Sequence, residues 1–303
     1  MQSDSMTLNL EKFSTQLGWS IAGVCDVEAS EEFKNQYRHW IENYKGPQLQ
    51  YLERRMDERL DPRKYLKDAK SIICFGLYYF PGWAEGEIKV SNYAWGKDYH
   101  LSLKEKLELS ILELKKIFGD FHFRLAVDTS PIAEKYWAQK AGLGWQGKNT
   151  LLLNTKLGSM FFLGEIISSL DPDLFEKSKP IINHCGTCTR CLDACPTQAL
   201  EAYRLIAERC ISYLNLEHKG DFDENTPSLE GWVAGCDICQ EVCPWNQKLI
   251  PIEIDAETKS FQNLKPADLE SKNWTMRIQN RAISYVPHKN WPRNLRQARK
   301  PKT

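Results

Sequence analysis

The chain has 303 residues, room for about two domains, and its 42% hydrophobic and 26% charged residues are ordinary for a soluble globular protein. No apolar run approaches the ~20 residues a membrane span needs. The N-terminal stretch MQSDSMTLNLEKFSTQLGW has neither the basic start nor the apolar core of a secretion signal, so a reducing cytoplasm is expected. The formal net charge of zero hides an asymmetry: after Glu270 there are nine cations and no acidic residue, leaving 31 basic against 40 acidic residues in the remainder.

In chain order, LNLEKFSTQLG (8–18) reads as a short amphipathic helix closed by Gly18. WSIAGVCDV follows as a buried strand carrying Cys25. Residues 30–56 form one or two helices broken at Gly46-Pro47. RRMDERLDPRKYL is dense in charge: either a solvated helix face or a set of guanidinium groups, Arg59 among them, placed for a phosphate- or carboxamide-rich ligand. SIICFGLYYF (71–80) is an unbroken apolar run, expected to be central in a sheet, and its Cys74, like Cys25, is most simply a small buried hydrophobe. LSLKEKLELSILELKKIFG is an amphipathic helix ended by Gly119. FHFRLAVD then alternates as a strand and stops at Asp128.

Asp128 opens DTSPIAEKYWAQKAGLGWQGKNTLLL. Ser130 is expected to cap a helix that starts at Pro131 and ends at Gly142. A carboxylate between a strand's end and a helix is where α/β folds place ligand chemistry; the alternative is a plain turn residue. Gly142, Gly144 and Gly147 are expected to let backbone approach a large ligand. These glycines follow a helix, so they are no dinucleotide fingerprint, and the P-loop pattern is absent. GSMFFLGEIISSL (158–170) is another buried strand, and DPDLFEKSKP reads as a linker.

Ten cysteines are present, and eight of them carry the strongest signal. HCGTCTRCLDACPTQAL places Cys185, Cys188, Cys191 and Cys195 at the spacing of the bacterial ferredoxin run, with Pro196 after the last. In that run three thiolates hold one 4Fe–4S cube and the fourth reaches to another. GCDICQEVCPWN supplies Cys236, Cys239 and Cys243 before Pro244, and Cys210 in AERCISYL replaces the missing middle cysteine. Pseudo-symmetry assigns Cys185, Cys188, Cys191 and Cys243 to cluster one, and Cys195, Cys210, Cys236 and Cys239 to cluster two. Paired C-x-x-C elements also suit zinc, but two cysteine–proline endings and a crossed fourth ligand are ferredoxin traits. His184 is then a neighbour of the cluster or a surface residue and no ligand. In the C-terminal stretch PADLESKNWTMRIQNRAIS contains one helix. Trp274, Tyr285 and Trp291 are interleaved with its cations, as stacking on unpaired bases would require; the other reading is a solvated, partly disordered terminus.

Three features together, VDTSPIAEKYWAQKAGLGWQGKNTLL, CGTCTRCLDACPTQAL, and the pair RCISYLN with GCDICQEVCPWN, resemble the epoxyqueuosine reductase family, roughly from Arg54 to Asn246. The resemblance implies an α+β or α/β fold: an N-terminal α/β cobalamin-binding domain (1–178), a two-cluster ferredoxin-like domain (179–250) and a basic, mostly helical C-terminal segment (251–303). It implies the short form, without the C-terminal HEAT-type repeats of longer members. The implied reaction is the last step of queuosine biosynthesis, reduction of epoxyqueuosine to queuosine at the tRNA wobble position. An external low-potential donor reduces the clusters, which generate cob(I)alamin, and Asp128 matches the family's catalytic aspartate and proton donor. Burial beside the corrin is expected to keep that carboxyl protonated. Arg59, Lys97, Asp128, Lys148, Asn149 and Ser212 lie in matching stretches as candidate cobalamin contacts. Asp98-Tyr99-His100 approaches the D-x-H-x-x-G corrinoid motif, but Leu103 stands where glycine is required, so a base-off cofactor with no protein histidine ligand is expected. The implied partners are the tRNAs for Asp, Asn, His and Tyr, with no membrane and a monomeric protein. A related reading is a corrinoid iron–sulfur reductive dehalogenase; another is a ferredoxin-type electron carrier, which leaves the Asp128 stretch without a role.

Overall fold

The computed structural model describes residues 7–301. Residues 1–6, which open the stretch read for a secretion signal, and 302–303, which include Lys302 of the basic end, lie outside the described residues.

Four strands build the main sheet in the spatial order Ile21–Asp26, Ser71–Tyr78, Phe161–Ser168, Phe123–Ala126, and every neighbouring pair is antiparallel. The arrangement is α+β. The two inner strands are the unbroken apolar run 71–80 and the buried strand read within 158–170, and both of their faces are covered. Side chains alternate across a strand, so Ile73 and Phe75 point one way and Ile72 and Cys74 the other. The first pair meets Leu103, Leu107, Ile111 and Leu114, a stripe at helical spacing on Tyr99–Phe118. The second pair meets Trp137 and Ala138 of the helix Glu134–Lys140. Both cysteines of this sheet, Cys25 and Cys74, are buried in that second layer.

Three local expectations change. The helix after Asp128 begins at Glu134, with Ala133 at its N-cap, and Ser130 caps nothing. The Ser130 hydroxyl instead accepts the Val127 N–H at 3.3 Å, closing a turn in which Asp128 has φ +46°. That left-handed residue turns the chain before a helix can start. The glycines 142–147 serve the protein itself: a Cβ on Gly144 would lie 2.1 Å from the Leu153 carbonyl oxygen, and one on Gly142 would meet Ser178. They let the hairpin Trp145–Gln146 with Leu152–Leu153 pack closely. The helix Tyr99–Phe118 starts two residues earlier than its apolar pattern shows, capped by the Asp98 carboxylate on the His100 N–H.

A second core joins distant parts of the chain. Strand Trp232–Ala234 pairs in parallel with Lys89–Val90. Around it Trp95, Trp232, Phe261, Trp274 and Trp291 are buried together. The C-terminal segment is therefore part of a core, neither a loose terminus nor an aromatic surface: Trp274 and Trp291 are 2% and 3% exposed. It holds two short helices, Pro266–Glu270 and Trp274–Ile278, where one was expected, and then Asn290–Ala298. Several of its cations are structural. The Arg293 guanidinium donates to the carbonyls of His218 and Gly220 and lies over the Phe222 ring at 4.3 Å, and Arg281 bonds Glu257 at 2.8 Å while covering Phe261. Tyr285 alone of the three aromatics is exposed. Among the described residues no helix is long and apolar enough to cross a membrane.

Trp291→Ala is expected to cost about 3–5 kcal/mol of stability, as loss of a buried large aromatic does, read from the denaturant midpoint of the cluster-loaded protein. A change below about 1 kcal/mol, usual for surface substitutions, would remove the C-terminal helix from the core.

Candidate active site and cluster centre

The cysteines converge from three stretches. Cys185, Cys188, Cys191 and Cys243 line one cavity of about 230 Å³ with Lys148, Asn149, His184 and Trp245. Tight turns aim the sulfurs: the Cys188 N–H bonds the Cys185 carbonyl at 3.0 Å, and the Cys243 N–H bonds the Gln240 carbonyl at 3.1 Å. Burial pushes the Cys191 thiol up to about 11, and Cys243, Cys185 and Cys188 add to it. The other four neighbour one another. Burial, then Cys210 and Cys195 among others, raise Cys239, and burial with Cys239 and Cys210 raises Cys236. Cys210 sits at the N-cap of Ile211–Leu216, where the Ser212 and Tyr213 N–H groups face its sulfur and oppose the upward push of burial. The Cys195 sulfur accepts the Ala199 N–H at 3.3 Å. Iron makes such crowding favourable, because a coordinated thiol is deprotonated. A cavity between four sulfurs suits a cube, whereas tetrahedral zinc draws its ligands together. Among the described residues no three His, Cys, Asp or Glu side chains close around a single ion.

The cavity has a cationic brace. The Lys148 ammonium donates to the carbonyls of Gly186 and Cys188 at 2.8 and 3.0 Å, pinning the loop between two cluster cysteines. Next to it, the Asn149 side chain is 4% exposed and its amide nitrogen is without a partner, a buried donor at the wall of the cluster cavity. His184 packs edge-on against Trp145 and also contacts Trp245, with ring centroids at 4.9 and 5.4 Å.

Asp128 belongs to a second centre. Its carboxylate lies 3.1 Å from His100 Nε2, and His100 Nδ1 lies 2.6 Å from the Asp98 carboxylate. The hydrogen bond to Asp128 first, then that to Asp98, outweighs desolvation and raises the imidazole to about 9. At neutral pH the centre therefore holds an imidazolium between two carboxylates. The Asp128 side chain is 53% exposed, so the chain does not itself bury this carboxyl. Arg59, 6% exposed, donates to the Ser130 carbonyl at 3.0 Å and braces the turn, while its Nε is buried without a partner. Tyr51, Tyr93, Tyr99 and Tyr285 all feel the Asp128 charge, and the surrounding protein pushes Tyr51 up to about 12. Tyr51 and Tyr285 are half exposed yet crowded by protein, as side chains lining a cleft are. The two centres adjoin: Lys135 Nζ bonds the Thr150 carbonyl at 2.9 Å, tying the helix after Asp128 to the turn that carries Lys148 and Asn149.

The 4Fe–4S double cluster binding domain model matches residues 184–246, and the model described as Epoxyqueuosine reductase QueG, DUF1730, matches residues 59–129. The epoxyqueuosine reductase of Leadbetterella byssophila is 42% identical over 260 residues, 84% of this chain and 84% of that protein. The chain belongs to the epoxyqueuosine reductase family. The solved epoxyqueuosine reductase of Streptococcus thermophilus superposes with a TM-score of 0.81 at 28% identity, covering 95% of this chain and 79% of that one. An epoxyqueuosine reductase solved with an epoxyqueuosine-modified tRNA-Tyr stem loop superposes at 0.79 with 27% identity and the same coverage.

Within this family member, the candidate residues separate. Asp128 and Arg59 come together at one turn, Lys148 and Asn149 at the cluster-one cavity, and Ser212 beside Cys210; Lys97 is exposed on the loop before Asp98. His100 escaped the sequence reading because it was compared only with a cobalt-ligand motif. Its signal was an aspartate at a helix N-cap two residues before it.

Two outcomes follow from this geometry. His100 is expected to titrate near 9 by NMR in the wild type and to fall toward its ordinary ~6.5 in Asp128→Asn. Because the folded value is raised, its stabilising contribution is complete below ~6.5 and lost as pH rises through about 9; an ordinary value in the wild type would contradict the bridge. In Cys243→Ala, iron content is expected to fall from about eight to about four per chain, with one cluster's spectrum kept. Loss of both clusters or of neither would contradict the crossed grouping.

Proposed function

We propose that this chain reduces epoxyqueuosine to queuosine at the wobble position of tRNA, the last step of queuosine biosynthesis. The observation that carries the reading is an acid centre, Asp128 on a cationic His100, tied through the Lys135–Thr150 contact to a cavity of four cysteines. Opening an epoxide to an alkene consumes two electrons and two protons and releases the oxygen as water, so electron and proton sources must meet at one cleft. The likeness to proteins named for this reaction, over most of the chain, supports the substrate.

In this reading Cys185, Cys188, Cys191 and Cys243 hold cluster one, and Cys195, Cys210, Cys236 and Cys239 hold cluster two. Cobalamin, when bound, supplies a low-potential cobalt that accepts electrons from the clusters and delivers them to the substrate. The unpartnered donors on Arg59 and Asn149 fit its amides and phosphate; Lys97, Lys148 and Ser212 are the further contacts. Both ring nitrogens of His100 face carboxylates. Asp98 holds the imidazolium, the imidazolium passes a proton to Asp128, and Asp128 delivers it to the epoxide oxygen. Docking of substrate over the half-exposed carboxyl supplies the burial that favours its protonated form. The tRNAs are those for Asp, Asn, His and Tyr, the source of electrons is an external low-potential donor, and the enzyme works as a monomer in the cytoplasm.

Anaerobic reconstitution with iron, sulfide and cobalamin, followed by reaction with epoxyqueuosine-containing tRNA, is expected to remove one oxygen from the nucleoside by mass spectrometry. Asp128→Asn is expected to keep iron and cobalt and lose at least about 10²-fold in turnover, the usual worth of a general acid. No conversion by a fully loaded wild type would discard the substrate, and an active Asn variant would remove Asp128 from the reaction.

A further inference from the structure

Behind Asp128 lies a buried acid that the reaction does not use. Glu165 sits mid-strand in Phe161–Ser168, paired across the sheet with Cys74 on one side and Ala126 on the other. It is 0% exposed, and neither carboxyl oxygen has a hydrogen-bond donor. Glu134, the first residue of the helix after the turn, faces it within side-chain hydrogen-bonding reach, a bond that forms once one of the two carboxyls is protonated. Glu134 Oε1 in turn accepts the backbone N–H of Asp128 at 2.5 Å.

Two ionised carboxylates have only lone pairs to offer each other, and the charge of the fully buried Glu165 would stand unpaired at prohibitive cost. One proton between them resolves both problems: it makes an O–H···O bond and leaves a single charge, as in other carboxyl dyads. We propose that Glu134 and Glu165 share one proton and act as a positioning pair that locks the Asp128 backbone in its left-handed turn. An aspartate at φ +46° needs such a hold, since the conformation is unfavourable for residues with a side chain.

The groups around the pair favour the shared proton. On the neighbouring strands are the thiols of Cys25 and Cys74, and burial keeps Cys74 neutral. On the turn is Asp128, whose charge, after burial, helps raise Glu134 to about 7, while burial and Glu134 raise Glu165 as well. On the helix Glu134–Lys140 the cation of Lys135 is turned to the Thr150 carbonyl, and on Tyr99–Phe118 both Tyr99 and His100 face Asp128. Below the pair's upper titration the turn is latched. Above it, two adjacent buried negative charges beside Asp128 drive Glu134 outward, and its bond to the Asp128 N–H is lost.

The consequence for turnover rests on Asp128 being the acid of the proposed reaction; the latch itself is testable with neither substrate nor cobalamin. Amide hydrogen exchange of the cluster-loaded full chain, resolved to residues 128–130 and corrected for intrinsic rates, is measured from about pH 6 to about pH 9. Wild-type protection at Asp128 is expected to fall about tenfold per pH unit above the upper titration. Glu165→Gln, whose amide donates to Glu134 at every pH, is expected to flatten that dependence. Glu134→Gln, accepting from Asp128 and donating to Glu165, is expected to do the same. Glu134→Ala is expected to lose protection at every pH, with strand Ser71–Tyr78 still protected. A flat wild-type profile, an unchanged pH dependence in both Gln variants, or full protection in Glu134→Ala would each overturn the pair. Such a result alongside normal conversion of epoxyqueuosine would leave the reaction standing, whereas an intact latch in an enzyme that converts nothing would overturn only the reaction.

Discussion

The convergence of distant cysteines is the constraint on which the rest of the molecule depends. Cys185, Cys188 and Cys191 meet Cys243 around one cavity, and Cys210, Cys236 and Cys239 gather near Cys195, which a straight stretch of chain cannot do. Residues 196–235 must fold back on themselves. That return lays down the helix Ile211–Leu216 and the strand Trp232–Ala234, and the strand finds its partner in Lys89–Val90, far away in the N-terminal half. The C-terminal helix then closes over both, with the Asn294 amide bonded to the carbonyls of Asn215 and Val233. The gathering of the cysteines, the second core and the burial of the chain's end therefore share the same stretch of chain.

The main sheet solves the complementary problem of placing protons. Antiparallel inner strands buried on both faces make a stiff support, and the groups around Asp128 gather at one margin of it. There the Asp98 cap fixes His100, His100 fixes Asp128, and Arg59 fixes the turn through Ser130. A cation lies there between two anions, while a second pair of acids, the partly buried Glu134 and the fully buried Glu165, lies behind it. The Lys135–Thr150 contact joins this margin to the cluster cavity.

How much of this could be read from the sequence depended on how much chemistry each spacing encodes. The cysteine runs were legible because thiolate spacing and the following prolines follow from the geometry of a cube. The inner strands were legible because double-sided burial leaves a mostly apolar run. Trp274 and Trp291 misled because dense arginine around an aromatic looks like a nucleic-acid surface, whereas here the guanidiniums stack on Phe261 and Phe222 and satisfy carbonyls inside the fold. Ser130 before Pro131 carried a good capping signal that lost to the left-handed turn at Asp128, a tertiary demand no local propensity shows. Glu165 was hidden within a strand rightly seen as buried, because pattern reading records the apolar majority and not the single acid inside it.

The most direct test of this account is the pH dependence of single-turnover epoxide opening by pre-reduced enzyme. With the imidazolium as proton source, the wild-type rate should hold level through neutrality and fall as pH rises through about 9, and His100→Gln should be slow with that limb gone. The same high-pH limb in wild type and His100→Gln, at similar rates, would contradict the claim that His100 and Asp128 together deliver the proton.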